Sequence, residues 1–364
     1  MIRRLATALA LLMPALILVT SALPLSRREE APREVSPEPI AKPVRTDHSA
    51  RQRGIALGLF AEDVSFSYAP LLDEIAALGA SHVALVIPIY QTDATSTELR
   101  LHTRFSPTLE TVADTIRTAR RAGLEVTLFP IVRLSAPRTP NEWRGTLAPS
   151  DRDLWFASYG AHIGDLASLA ALTGATRLVI GSELSTLDGD LPRWKRLISL
   201  IRAVYADTLV YSANWDHYQD APLFELVDEI GIVGYFELRD AKGASDVQAL
   251  AARWRRIGRQ IEFHLGRFDK PFVFSEIGYR SRAGATAAPW NETPGGMPDL
   301  DEQRRGFEAF RLAWTAEGSL RGRLDGVYVW NWYGYGGPGS VGYTPRGKPA
   351  ATTVRQILLD LDSP

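Results

Sequence analysis

Two glutamates stand out for what they could do together. Glu183 closes the run Arg177-Leu-Val-Ile-Gly-Ser-Glu183, and Glu276 closes Pro271-Phe-Val-Phe-Ser-Glu276. Each carboxylate sits where a strand-like stretch gives way to a loop. A pair of carboxylates on one surface can divide the breaking of a glycosidic bond between them: one protonates the leaving oxygen, the other attacks the anomeric carbon. Alone, a glutamate at a strand end is as readily a helix-cap partner or half of an ion pair. What counts is the pair, and whether the fold brings it together.

The elements that would do so recur along the chain. Strand-like runs fall at Gly54–Phe60, His82–Ile89, Leu124–Val132, Arg177–Glu183, Thr208–Asn214, Glu229–Phe236, Pro271–Glu276 and Gly326–Trp332. All are short and rich in Val, Ile, Leu and Phe, as strands buried on both faces of a parallel sheet must be. Helical patterns separate them at Ala69–Leu78, Leu109–Arg121, Asp153–Leu172, Leu191–Tyr205, Val247–Leu265, Glu302–Glu317 and Ala350–Leu361, with Gly123 placed as a C-cap and the third pattern ending before Gly174. Only Pro222–Val227 is short for a helix. This alternation predicts an α/β fold, a single (β/α)8 TIM barrel over residues 54–364, in preference to an open doubly wound sheet with extra elements. In such a barrel the C-terminal strand ends carry the chemistry. Glu183 and Glu276 then end the fourth and seventh strands.

The remaining strand ends supply polar and aromatic groups: Tyr90, Arg133, Asn214, Trp215, Tyr235, Tyr279, Trp330 and Trp332 among them. Neutral sugars need such a set, hydrogen-bonding groups for hydroxyls and flat faces for rings. Each has a structural alternative: Tyr235 as a core tyrosine, Arg133 in an ion pair, Trp330 and Trp332 as rim packing. No cofactor is called for. The six histidines show no metal-ligand spacing, and no GxSxG elbow is present. Gly334-Tyr-Gly-Gly-Pro-Gly339 formally matches a dinucleotide fingerprint, but Pro338 lies inside it and no helix opens at its end, so it reads as a loop over the active face.

With 364 residues and 45% hydrophobic content, the chain can bury a large core, and its net charge of -1 gives no electrostatic reason to expect nucleic acid as a partner. Arg3 and Arg4 precede an apolar run from Leu5 to Val19 and small residues at Thr20, Ser21 and Ala22. Residues 1–25 therefore read as a signal peptide or a membrane anchor, and the protein as exported to the periplasm or beyond. Residues 26–53, rich in Pro, Glu and Arg, read as a disordered tether, or alternatively as an arm packed on the barrel. There is no cysteine, hence neither a disulfide nor a lipid-anchoring cysteine, and the core must hold the fold alone.

The segments Gly181-Ser-Glu-Leu184, Ser212-Ala-Asn-Trp-Asp216, Ile230-Gly-Ile-Val-Gly-Tyr-Phe236 and Phe274-Ser-Glu-Ile-Gly-Tyr-Arg-Ser281 resemble glycoside hydrolase family 113. The resemblance runs from Gly54 to the C-terminus, and the Asn-Trp-Asp and Ser-Glu-Ile-Gly-Tyr segments are its most specific parts. It implies a retaining endo-β-1,4-mannanase-like enzyme acting on an oligosaccharide or polysaccharide, with Glu183 as acid/base and Glu276 as nucleophile. It also implies that Tyr235 orients the nucleophile and that Trp330 floors the sugar site. One departure is Ser182, where much of the clan has an asparagine that meets the sugar's 2-hydroxyl. That leaves the substrate open between mannan and another β-glycan or envelope polysaccharide. A catalytically silent glycan-binding barrel and a membrane-tethered scaffold remain as alternatives.

Overall fold

The computed structural model describes residues 51–362 apart from 64, 241, 317 and 318. The predicted signal or anchor, and nearly all of the predicted tether, lie outside these residues. No helix among the described residues is long and apolar enough to cross a membrane. In chain order the elements are β1 (Gln52–Gly58), α1 (Ala69–Ala77), β2 (His82–Gln91), α2 (Leu109–Arg121), β3 (Glu125–Leu134), α3 (Arg152–Thr173), β4 (Arg177–Ser182) and α4 (Leu191–Arg202). They continue with β5 (Thr208–Ala213), β6 (Glu229–Val233), α5 (Val247–Leu265), β7 (Phe272–Ile277), α6 (Leu300–Phe310), β8 (Gly326–Val329) and α7 (Ala350–Asp362). Each strand pairs in parallel with the next, and β8 pairs with β1 to close an eight-stranded barrel. Between β5 and β6 the chain makes only two short 3-10 turns, Tyr218–Asp220 and Pro222–Glu225, where the sequence is too short for a helix.

The strands bury both faces. Their outward side chains meet the helices in one continuous shell that includes Trp155, Trp194, Trp254 and Trp314, none of them exposed. Burying each such side chain stabilises the fold by about 1.5–3 kcal/mol or more. Helix α3 shows how the sequence bounds these elements. The Asp151 carboxylate accepts from the amides of Asp153 and Leu154 at 2.8 and 3.0 Å, and Gly174 ends the helix with φ of 75°.

Inside the barrel a smaller cluster fills the axis. Ala56 and Ala84 leave room there for Phe129 and Tyr328, with Val86, Ile131, Val179 and Val210 around them and Phe60 and Trp330 above. At the N-terminal ends of the strands the plug is polar. Gln52 donates to Glu229 at 2.6 Å, and Arg177 reaches the same Glu229 oxygen. Tyr328 donates to Gln52 at 2.8 Å and lies 2.9 Å from the Thr127 hydroxyl. This plug explains why β1 begins at Gln52, two residues before the expected Gly54. The first residue of the strand is a buried glutamine, invisible to a search for apolar runs, and the ordered domain takes in the end of the predicted tether.

Candidate active site

The strands that end in the two glutamates are the irregular ones. Register shifts occur in the β4–β5, β6–β7 and β7–β8 ladders, between Val179 and Gly181, between Ile232 and Val233, and between Phe274 and Ile277. Every shifted ladder contains β4 or β7. A bulge re-aims the side chains beside it, and here the irregularities fall at Ile180, three residues before Glu183, and around Ser275 and Glu276. Glu183 then leaves β4 with φ of 54°, a left-handed conformation uncommon for a residue with a side chain. Its amide is tied to the Ser212 carbonyl at 2.7 Å.

The two carboxylates are buried, with 4% exposure at Glu183 and 2% at Glu276. Each is held by one oxygen only. Tyr235 donates its hydroxyl to Glu276 Oε2 at 2.9 Å, while Glu276 Oε1 is buried with no partner. Arg144 donates from Nε to Glu183 Oε2 at 2.7 Å and from Nη2 to the same oxygen, and Glu183 Oε1 accepts no hydrogen bond from a described residue. Tyr235 reaches Glu276 because Gly234 precedes it. A Cβ at Gly234 would lie 2.9 Å from the Ile277 side chain and 3.0 Å from the Glu276 carbonyl, so only glycine lets the end of β6 come this close to β7.

Burial pushes both carboxyls upward, and each also feels negative neighbours. Glu276 is pushed up to about 8, first by burial and then by Glu183, against the pull of Arg144 and the Tyr235 hydrogen bond. Glu183 is raised by burial, with Glu292 and Asp216 adding to the effect and the Arg144 guanidinium opposing it. Tyr235 is held well above its ordinary value by burial and by Glu276, so it stays a donor. Two close carboxyls in so dry a place share one proton rather than ionise together. The sequence leads one to expect burial and an ionised Glu276 to keep this proton on Glu183; the structure favours the reverse in the free protein, since Glu276 is itself pushed up to about 8 and the Arg144 guanidinium draws Glu183 toward its ionised form. Arg144 is an opposing influence that the strand ends do not reveal.

The other expected residues divide. Trp330, half-buried, sits over the inner cluster at the end of β8 with its ring 6.4 Å from that of Phe60. Ser182 is buried with its hydroxyl unpartnered, one residue from Glu183. Asn214 is buried and donates to the exposed Asp216 at 2.7 Å, and half-buried Trp215 packs against Phe236. Trp332 and Tyr279 lie elsewhere. Trp332 is buried in the outer shell and donates to Glu74 of α1 at 2.7 Å. The strand ends at Val329, so the alternation that would have placed Trp332 beside Trp330 does not continue. Tyr279 is unexposed and accepts from Trp254 of α5 at 3.0 Å. Arg133 is exposed and makes no hydrogen bond or ion pair with a described residue, so the guanidinium at this end of the barrel comes instead from Arg144 on the following loop. Among the described residues, no three His, Cys, Asp or Glu side chains gather to hold a metal ion.

Arg144, Glu292 and Tyr343 have no periodic signal in the sequence. They lie on the loops after β3, β7 and β8, and proximity alone brings them in. Tyr343 sits 5.8 Å from the Tyr235 ring and donates to the Pro289 carbonyl, fixing the loop that carries Glu292.

The fold is thus a closed parallel barrel with two buried glutamates at the ends of β4 and β7. The model of Glycoside Hydrolase Family 113 matches residues 63–335, and the chain belongs to that family. It is similar to a β-1,4-mannanase of the same family solved as a complex, with 22% identity, a TM-score of 0.73, and coverage of 85% of this chain and 99% of that one. It is likewise similar to the β-mannanase from Alicyclobacillus acidocaldarius in complex with ManMIm, with 22% identity, a TM-score of 0.73 and coverage of 86% and 98%. A more distant likeness is to the β-D-glucuronidase of Dictyoglomus thermophilum, with 14% identity, a TM-score of 0.57 and coverage of 85% of this chain and 50% of that one. No curated protein matches this chain.

Proposed function

We propose that the protein is a retaining glycosidase that cleaves β-1,4-linked mannose-containing glycans by double displacement. The observation that carries this reading is the pair of half-held carboxylates: Tyr235 on one oxygen of Glu276, Arg144 on one oxygen of Glu183, and the other oxygen of each accepting no hydrogen bond from a described residue. In the form of the pair that carries the shared proton on Glu183, Glu276 Oε1 attacks the anomeric carbon as the glycosidic C–O bond breaks, and that proton passes to the leaving oxygen. Glu183 then takes a proton from water, the water oxygen bonds to the anomeric carbon, and the ester to Glu276 breaks. Tyr235 keeps Oε2 occupied so that Oε1 attacks. The ring of Trp330 supports the sugar, and the Ser182 hydroxyl meets its 2-hydroxyl. Mannan is favoured by membership of the family and by the mannanases it resembles; Ser182 favours, as a second reading, another β-glycan. The N-terminal segment fits an enzyme exported and tethered at the cell envelope.

The test is a panel of β-1,4-linked manno-, gluco- and xylo-oligosaccharides offered to the chain from Arg51 onward, with Glu276→Ala alongside. Cleavage of mannan oligosaccharides that vanishes in the variant, with the β anomer as first product by proton NMR, is the expected result. An α product first would overturn retention. Equal binding by both proteins without turnover of any sugar would mark a silent glycan-binding barrel.

A further inference from the structure

Arg144 has a more elaborate setting than a chance ion pair needs. It begins a 3-10 turn, Arg144–Thr146, closed by reciprocal hydrogen bonds: the Trp143 amide donates to the Thr146 hydroxyl at 3.1 Å, and the Thr146 amide to the Trp143 carbonyl at 3.0 Å. Gly145 allows the Trp143 ring to fold over this turn, since a Cβ there would lie 2.2 Å from the indole. The Arg144 guanidinium lies 5.9 Å from the same ring, a cation–π contact. The turn is fastened to the loop that follows Glu183 by the Thr186 hydroxyl, which donates to the Leu147 carbonyl at 2.5 Å.

From this setting, and resting on the glycosidase reading above, we propose that Arg144 is the positioning residue of the acid/base. Its two donors fix Glu183 Oε2 and leave Oε1 as the oxygen that serves the leaving group. Its charge sets the pH range in which the two glutamates hold a single proton. Around that proton stand Arg144 from the β3–α3 loop, Tyr235 beyond β6, Asp216 beyond β5 and Glu292 from the β7–α6 loop. Arg144 is the one cation of this group, against four carboxylates counting the pair itself. Its charge favours the ionised form of both glutamates, so removing it moves both limbs of the pH profile the same way, upward.

The experiment compares wild type with Arg144→Gln, Arg144→Met and Arg144→Lys. The substrates are a mannan oligosaccharide, whose leaving group needs a proton, and an aryl β-mannoside with an activated leaving group, which does not. Arg144→Gln and Arg144→Met are expected to lower kcat/KM on the oligosaccharide by about 10²-fold, the scale of general acid catalysis. Both limbs of the bell should rise by about one pH unit or more. The aryl substrate should lose far less in its first step. Arg144→Lys should keep the limbs near wild type but not the oligosaccharide rate, because an ammonium keeps the charge and loses the planar fork. A merely structural arginine would lower the rate on both substrates alike and leave the limbs in place; that result overturns the proposal. Carboxyl titration of 13C-labelled glutamate, with Glu183→Gln and Glu276→Gln for assignment, reads the same shift without turnover. An inactive wild type whose carboxyl titrations still rise in Arg144→Gln would sink the glycosidase reading and spare the electrostatic role. Unmoved titrations in a folded Arg144→Gln or Arg144→Met would sink the proposal itself.

Discussion

Each end of the barrel buries a glutamate beside an arginine, and the two ends treat them differently. At the N-terminal end Glu229, 3% exposed, is joined by Gln52 and Arg177, and Gln52 in turn by Tyr328. No atom of Gln52, Thr127, Arg177, Glu229 or Tyr328 is among the buried polar atoms that lack a partner. At the C-terminal end Glu276, 2% exposed, has one oxygen bonded and one orphaned, and the hydroxyl of Ser182 and the amide oxygen of Asn331 are orphaned as well. Burial raises the carboxyl of Glu229 as it raises those of Glu183 and Glu276. A raised carboxyl therefore does not separate the two ends. The orphaned atoms do: a buried polar group without a partner is costly, and those at the C-terminal end leave hydrogen-bonding capacity beside Glu276 that a ligand could use.

The sharpest way to break this comparison is to exchange what each end loses. Glu276→Gln should lower turnover by about 10⁴-fold or more, on the scale of removing one member of a covalent catalytic set, with the fold intact by circular dichroism. Glu229→Ala should do the opposite. It leaves Arg177 with its exposed partner Glu125 alone and should cost about 3 kcal/mol in denaturant unfolding, while the surviving folded protein keeps its kcat/KM. If Glu229→Ala instead abolished turnover at unchanged stability, the division between a structural and a chemical end would fail.

The same division governs what could be read from the chain. Periodicity finds elements that bury apolar side chains, and so the eight strands and their order were legible. So was the placement of Glu183 and Glu276, because a strand end is visible wherever an apolar run stops. Gln52 was not, since a buried polar residue looks like linker. Tyr279 was misplaced by proximity alone: it stands three residues after Glu276 but two beyond the end of β7, where its hydroxyl meets Trp254 of α5. Trp332 was misplaced by the converse error of trusting alternation beyond the end of β8. Arg144 lies in a loop, where neither period applies, and only the folded chain brings it to Glu183.

Acidity offers a finer probe of the two ends. Glu276 has a folded value of about 8 against 4.5 when exposed. A carboxyl raised on folding adds stability fully at pH below its unfolded value, and that contribution is lost as pH rises through the folded one. Wild type should therefore lose stability between about pH 4.5 and pH 8, and the loss should be smaller in Glu276→Gln, which has no charge to bury at the upper end. Glu229 is also raised and contributes a decline of the same sign, so Glu276→Gln should flatten the curve without levelling it. Melting temperatures of both proteins across that range check this. Parallel curves would mean that Glu276 is not the group whose ionisation the fold resists.

The smallest expected effect bears on which sugar the orphaned atoms await. Ser182 carries a buried hydroxyl with no partner among the described residues beside Glu183, at the position where an asparagine would reach further. Ser182 and Ser212 are partners in the β4–β5 register, and the Ser212 hydroxyl is already satisfied by Ser275 at 2.6 Å, so Ser182 is the member of this row left to bind. Mannose and glucose differ at the 2-hydroxyl, axial in one and equatorial in the other. A hydrogen bond gained or lost there is worth about 1 kcal/mol, roughly a fivefold change in discrimination. Ser182→Asn should therefore change the ratio of kcat/KM for manno- over gluco-oligosaccharides by about that factor, leaving the pH profile in place because no charge is altered. If rates on both sugars fall together, the hydroxyl of Ser182 supports Glu183 and does not read the substrate. If the ratio moves, the orphaned oxygen at the end of β4 is where this chain distinguishes one glycan from another.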